Sequence, residues 1–370
     1  MSDARAAGGR ATTEAWALVR AMLDDMAAMV AEESETELEL VEGYRALGRV
    51  TALSAEVSFD VDPDLPWFFP MNSPARMVGG PNPDGAYHLA MIDGARRYRV
   101  TGSRNTVTYL GFQVLAGRGL TPRRMAAYVS DTDLTLDAAG RFALVLATEE
   151  PDRVELDGAT WVPVPDDASA IVVRQYIGDR ATETEAEFAI APLDPPGPPE
   201  RPTDAGIAEQ LTAWGWTVAK LLTLHHGVLP EALERPNELL TVAAEALGGE
   251  NTTPDNLYVL GTFRLAPDEA LTIEFTPPGT RYWNVSVENI WHECIDSRRR
   301  HSSVTNAAVA PGSDGRVRIV VAASPPPSAA AGRTEWLDTG GRHRGFVCVR
   351  WLDNPDPPDI STAVVPVGQA

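Results

Sequence analysis

Lysine is almost missing from this chain. Of 31 basic residues in 370, only Lys220 is a lysine and the rest are arginine. A P-loop or a lysine Schiff base therefore has one residue on which to rest. Cysteine is equally scarce: Cys294 and Cys348 cannot build a disulfide framework in a chain of this size. No run approaches the roughly 20 apolar residues of a membrane helix. Residues 1–15 are small and polar, without the apolar core of a secretory signal. These absences lead to the expectation of a cytoplasmic protein with no membrane partner. Positive charge is also short, at 31 Lys+Arg against 52 Asp+Glu, a net −21. That disfavours nucleic acid, whose binding needs phosphate-neutralising cations, and an anionic membrane surface. No Gly-x-Ser-x-Gly, His-Glu-x-x-His, Gly-x-Gly-x-x-Gly or Walker pattern occurs.

What is present reads as a folded chain of two or three domains. Hydrophobic residues make up 44% and charged residues 22%, the balance of a packed protein. Trp16, Val19, Leu23, Met26 and Val30 recur at helical spacing. A second helix is predicted from a Ser34/Glu37 capping box, with Leu38, Val41, Tyr44 (or Arg45) and Leu47 as its apolar stripe. Its glutamates read as a solvated face. Residues 60–80 are punctuated by Pro and Gly and read as loop. Strand patterns follow at Tyr87–Ile92, Tyr98–Gly102, Thr106–Val114, Phe142–Ala147, Trp161–Val164 and Glu187–Ile190. Residues 169–176 suit a strand or a short helix. Pro192–Pro202 is a stiff linker. It leads into a helix capped by Thr203 or Asp204, and a short helix is predicted near 238–247. The last third returns to strands, at Tyr258–Leu265, Ala270–Thr276, Trp283–Ile290, Arg316–Ala322 and Gly345–Trp351.

The expected fold is α+β, mainly β: two antiparallel jelly-roll-like β-sandwich domains with helical segments at the N-terminus and between them. The boundaries are 1–58 for the N-terminal helices, 59–191 for the first sandwich, 192–249 for linker and helices, and 250–370 for the second sandwich. Tyr87, Asp93-Gly94 and Tyr98-Arg99 are faintly echoed by Tyr258, Asp268-Glu269 and Tyr282-Trp283, too weakly to establish a duplication.

The C-terminal third carries Tyr258…Gly261, the run Leu265-Ala266-Pro267-Asp268-Glu269-Ala270-Leu271, and Arg281-Tyr282-Trp283-Asn284-Val285. Asp314-Gly315, Trp336-Leu337-Asp338-Thr339-Gly340-Gly341 and Arg350-Trp351 follow. This pattern resembles the bacterial domain of unknown function 1214, common in actinobacteria. A looser likeness extends upstream through Glu42-Gly43-Tyr44-Arg45, Pro81-Asn82-Pro83-Asp84…Tyr87 and Tyr98–Gly102. The chain departs from the pattern at Arg333-Thr334-Glu335, after a Pro-rich insert. The resemblance implies jelly-roll sandwiches and no established reaction, so it supplies no catalytic residues.

The charge is unevenly spread. Residues 86–130 hold seven arginines against one acidic residue and residues 281–350 ten against six, leaving −31 for the rest. Arg97 and Arg99 in the first island, and Arg298 with His301 in the second, could hold a carboxylate, sulfate or phosphate. Alternatively they pair with the protein's own surplus carboxylates, the commoner arrangement. Asp84, on a loop-to-strand edge with Tyr87, is the first candidate for a general acid/base, and His292 the second. Trp283 and Trp291 are candidate apolar walls. Cys294 and His292 alternate along a strand, and a buried small Cys beside a hydrogen-bonded His is a better reading than a nucleophile pair. No short metal-ligand spacing appears, so no metal and no cofactor are expected. The expected function is a cofactor-independent enzyme acting on a small, partly apolar molecule with an anionic group. The alternatives are a non-catalytic jelly-roll binding protein for a sugar or lipid-like ligand, or a structural oligomer subunit. The partner is then a small-molecule ligand, with a homo-oligomer left open.

Overall fold

A computed structural model describes residues 10–117, 121–198, 201–224, 226, 230–242, 252–353, 356 and 359–370. Helix α1 spans Arg10–Glu33 and α2 spans Glu37–Phe59. The first nine strands are β1 (Phe69–Pro70), β2 (Gly85–Met91), β3 (Tyr98–Ser103), β4 (Tyr109–Ala116), β5 (Arg124–Ser130), β6 (Arg141–Ala147), β7 (Thr160–Pro163), β8 (Ala168–Tyr176) and β9 (Glu187–Pro192). After a long helix at Asp204–Leu222 come β10 (Leu239–Val242), β11 (Asn256–Arg264), β12 (Glu269–Phe275), β13 (Trp283–Glu288), β14 (Ser303–Thr305), β15 (Val317–Ala322), β16 (Glu335–Asp338), β17 (Arg344–Leu352) and β18 (Ile360–Pro366).

The protein is mainly β, as its strand patterns predict. Each half is a sandwich of a five-stranded and a four-stranded sheet. The first half is ordered β1-β2-β8-β4-β5 and β7-β6-β3-β9; the second is ordered β10-β11-β17-β13-β14 and β16-β15-β12-β18. Adding nine to every strand of the first half gives the second. Both pairs of sheets are antiparallel except β6–β7 and β15–β16. The repeat reaches single hydrogen bonds. Asn82 N donates to the Tyr87 hydroxyl at 2.8 Å, and Thr253 N to the Tyr258 hydroxyl at 3.0 Å. Ile177 N donates to Asp84 O, and Asp353 N to Asp255 O, both at 2.9 Å. The two halves therefore repeat one topology, and Asp84 corresponds to Asp255.

Alternation along the strands fills each sandwich. Leu110, Phe112, Val114, Ile171 and Val173 meet Val100, Leu144 and Leu146 in the first; Val285, Val287, Val347 and Val349 meet Leu271, Ile273 and Ile319 in the second. The opposite faces of the two five-stranded sheets carry the site described below.

The helices form a bundle docked on the second sandwich through Val30, Ala46, Val50, Leu53, Val218, Leu222 and Trp291. Here the residues correct three expectations. The cap of α2 is Thr36, which accepts from Glu39 N at 3.2 Å, rather than Ser34. The stripe of Leu38, Val41 and Tyr44 faces solvent, while Glu39 and Glu42 are buried. Their acidity, read as a solvated face, is consumed inside the molecule. Glu39 pairs with Arg344 at 2.8 Å, and Glu42 with Arg342 and, at 3.0 Å, Arg45. Glu293 likewise takes Arg45 at 2.6 Å and Arg49 at 2.5 Å. Third, Leu239–Val242 is a strand because it pairs with β11, Leu239 opposite Gly261; the rest of the helix expected there, from 243 on, lies outside the described residues. Residues 169–176 are strand, and Thr203 is the cap of the following helix. Asp204 instead caps α1, accepting from Ala11 N at 3.1 Å and Thr12 N at 3.0 Å.

Candidate functional site between the two sandwiches

The outward rows of the two five-stranded sheets face each other across a shared polar layer. They meet at stacked aromatics: Tyr109 lies 4.9 Å from Tyr176, and Tyr176 5.2 Å from Tyr282, centroid to centroid. One step along each row is an arginine. Arg174 on β8 stands opposite Tyr87 on β2, and Arg350 on β17 stands opposite Tyr258 on β11. Both arginines are buried, at 7% and 3% exposure.

The loop before β2 crosses onto the second sheet. Gly80 N donates to His292 O at 3.0 Å, and Arg350 Nη2 donates to Gly80 O at 2.9 Å. Asn82 is fully buried. Its Nδ2 donates to the Tyr282 hydroxyl at 2.6 Å and its Oδ1 accepts from Asn284 Nδ2 at 2.8 Å. This crossing delivers Asp84 to the second sandwich, close to Ser303 and Asn284. Burial raises the Asp84 carboxyl above the usual range, against the pull of Arg180, Ser303, Asn284 and Arg350. In the other half Asp255 is raised by burial too, and accepts from the Tyr128 hydroxyl at 2.5 Å.

At the end of β13, Glu288 Oε2 holds His292 Nδ1 at 2.9 Å. The imidazole stacks on Phe346, centroids 4.0 Å apart. His292 has φ +53°, a left-handed backbone that a non-glycine residue adopts at a cost. Arg350 completes the row, donating to Ser286 Oγ at 3.2 Å and standing 3.9 Å from Glu288 Oε1. Three buried atoms here have no partner among the described residues: His292 Nε2, Asp84 Oδ2 and Asn284 Oδ1. Most buried polar atoms in folded proteins have a partner. Phe346 also lines a 310 Å³ cleft with Phe263, Ile290, Leu233, Arg264 and Arg344.

Asp84, Tyr87 and His292 thus belong to one buried layer. The other candidates lie elsewhere. Arg99 alternates with core residues Tyr98 and Val100, so it points off the far sheet, where it donates to the carbonyls of Leu156 at 3.2 Å and Asp157 at 3.4 Å. Arg97 pairs with Asp194 at 2.8 Å and Glu155 at 2.9 Å; Arg298 lies 3.7 Å from Asp296, and His301 3.3 Å from Glu335. These side chains are matched by the protein's own carboxylates. Trp283 sits in the second sandwich core against Phe275 and Trp351. Trp291 packs under the helices and donates to Glu39 O at 2.9 Å. Cys294 donates weakly to Pro81 O at 3.3 Å, and burial raises its thiol well above the ordinary value. Sequence reasoning missed Arg174, Arg350 and Glu288. The signal was the pair Pro83-Asp84-Gly85-Ala86-Tyr87 and Pro254-Asp255-Asn256-Leu257-Tyr258, which aligns the halves and makes Arg174 and Arg350 equivalent. No three His, Cys, Asp or Glu side chains gather as a metal site among the described residues, and no described helix is long and apolar enough to cross a membrane.

The whole architecture recurs in an uncharacterised protein from Burkholderia cenocepacia. Its crystal structure is 28% identical, covers 98% of this chain and 100% of its own, and superposes with a TM-score of 0.88. The VPA0106 protein from Vibrio parahaemolyticus shares the fold at 11% identity, covering 86% of this chain and 98% of its own with a TM-score of 0.51. No curated protein matches the chain. Residues 263–356, which include Glu288, His292 and Arg350, match the family model described as a protein of unknown function, DUF1214. The likeness to DUF1214 is thus a likeness of the chain's C-terminal region.

Proposed function

We propose that the protein is a cofactor-independent enzyme acting on a small, partly apolar molecule that bears an anionic group, with His292 and Asp84 as its acid–base pair. One observation carries this reading: Glu288 holds one nitrogen of a buried histidine and leaves the other without a partner, beside a buried arginine. With Glu288 ionised, Nδ1 carries the proton and Nε2 presents a lone pair, the orientation a general base needs. Asp84, raised by burial, keeps its proton to higher pH and suits the acid role. Arg350 faces the same layer and can stabilise charge that develops on a reacting oxygen. The cleft beside Phe346 supplies apolar room.

The test is a turnover screen of small carboxylates and phosphate esters followed by proton NMR. For a compound that is turned over, His292→Asn lowers kcat by about 100-fold or more, the usual scale of a lost general base, with little change in KM. Glu288→Gln gives an intermediate loss, because it frees the tautomer. Equal turnover by wild type and His292→Asn would remove His292 from the chemistry.

A further inference from the structure

The acid–base reading leaves one buried cation unused. Arg174 occupies on β8 the position of Arg350 on β17, and the nearest part of its own sheet offers it little. Its guanidinium donates to Gln113 Oε1, and among the described residues no carboxylate completes an ion pair with it. The arginines in the basic islands show the contrast: Arg96 has Asp64, Arg104 has Asp131 and Arg300 has Asp338, each at 2.7 Å. An ionised group taken out of water without a counter-charge is strongly unfavourable. A buried guanidinium without a carboxylate partner is a fitting receiver for an anion.

The surroundings fit that role. Tyr87 stands across the ladder from Arg174, and Tyr176, two residues further along the same face, walls the layer with its ring. Burial raises the Tyr87 hydroxyl, against the pull of Arg350 and, more weakly, Arg174. Guanidinium presents a planar fork of donors, and in Arg174 one nitrogen, Nη1, is committed to Gln113.

We propose that Arg174 is the specificity-determining anchor for an oxyanion, a carboxylate or a phosphate group, on the small molecule that enters between the sandwiches. This rests on the reading that such a molecule binds there, but on no reaction.

The full-length protein is titrated by calorimetry with sodium phosphate and, separately, with succinate, at constant ionic strength. Wild type binds at least one of them, and the preference between the two identifies the oxyanion. Arg174→Gln weakens that binding tenfold or more, Arg174→Lys weakens it less, and Arg97→Gln, at a cation outside the layer already paired with Asp194, binds as wild type does. In anion-free buffer Arg174→Gln unfolds at or above the wild-type temperature, because a lone buried charge is gone. The inference is overturned if Arg174→Gln unfolds earlier and binds unchanged, or if neither anion binds wild type. Loss of binding in His292→Asn but not in Arg174→Gln also overturns it, and leaves the acid–base reading standing.

Discussion

Arg174 and Arg350 are equivalents within one chain: each lies on the central strand of its five-stranded sheet, opposite a tyrosine at the third position of the neighbouring strand. Around this pair the halves have diverged. Gln113 meets Arg174, whereas Ser286 and, at 3.9 Å, Glu288 meet Arg350. The half with the carboxylate also has the histidine.

Asp84 is the first place to test the layer. Its folded pKa is raised, so its stabilising contribution is full below the unfolded value of about 4 and is lost as pH rises through the folded value. Asp84→Asn removes that dependence. The variant is expected to unfold at the wild-type temperature or above it at pH 7–8, with the difference closing as pH falls. Calorimetric unfolding across pH measures this, and a variant that is less stable at pH 8 than at pH 5, relative to wild type, contradicts it.

The buried ion pairs of α2 fasten the helices to the second sandwich. Glu42 is 2% exposed between Arg342 and Arg45; burial works against its charge, but these arginines hold its carboxyl below the usual value. Glu42→Ala leaves Arg342 uncompensated and costs about 3–5 kcal/mol, read from urea unfolding. Glu35 behaves likewise with pH. Hydrogen bonds from Arg264 and His343 lower it to about 2, so its contribution is present above about pH 4 and lost towards pH 2. Acid should release the helices, seen as an increased fluorescence response of Trp291 before the sheets unfold.

Gly43 makes the docking possible. A Cβ there would lie 2.5 Å from Val30 and 2.8 Å from Trp291. Gly43→Ala therefore forces the bundle off Trp291 and destabilises by about 1–3 kcal/mol. Val30→Ala in the same chain should recover part of that loss. Additive losses in the double variant would mean that the two side chains do not compete for this space.

Cys348 is buried and Cys294 is partly so. Burial pushes Cys348 up to about 12 and raises Cys294 further from reactivity. A thiol reagent at pH 8 should label neither in the native protein and both after denaturation. Rapid native labelling of Cys294 would show that the layer around Pro81 is open.

Much of the fold was legible because strand alternation and turn residues act locally. Asp93-Gly94 and Asp268-Glu269 do fall at equivalent turns. Tyr98 and Tyr282 do not: Tyr98 opens β3, while Tyr282 answers to Tyr109 before the next strand. The stripe on α2 misled because leucine outside and glutamate inside is normal only when arginines from a distant segment, here Arg342 and Arg344, wait for the glutamates. The candidate site was half legible. Asp84 and His292 stood out as chemical types at strand ends, but charge counting favours clustered, exposed arginines. Arg174 and Arg350 stand singly in apolar strands, and only the pairing of β2 with β8 and β11 with β17 turns them to the same layer.

The central claim is that a small anion enters between the sandwiches and meets both Arg174 and the His292 limb. The most direct measurement is a crystal structure with the tightest-binding anion from the titrations. The account predicts the ligand's oxyanion within hydrogen-bond distance of the Arg174 guanidinium, with its body turned towards His292 Nε2. A ligand seated instead on Arg97 or Arg298, with the layer between the sandwiches unchanged, would contradict it.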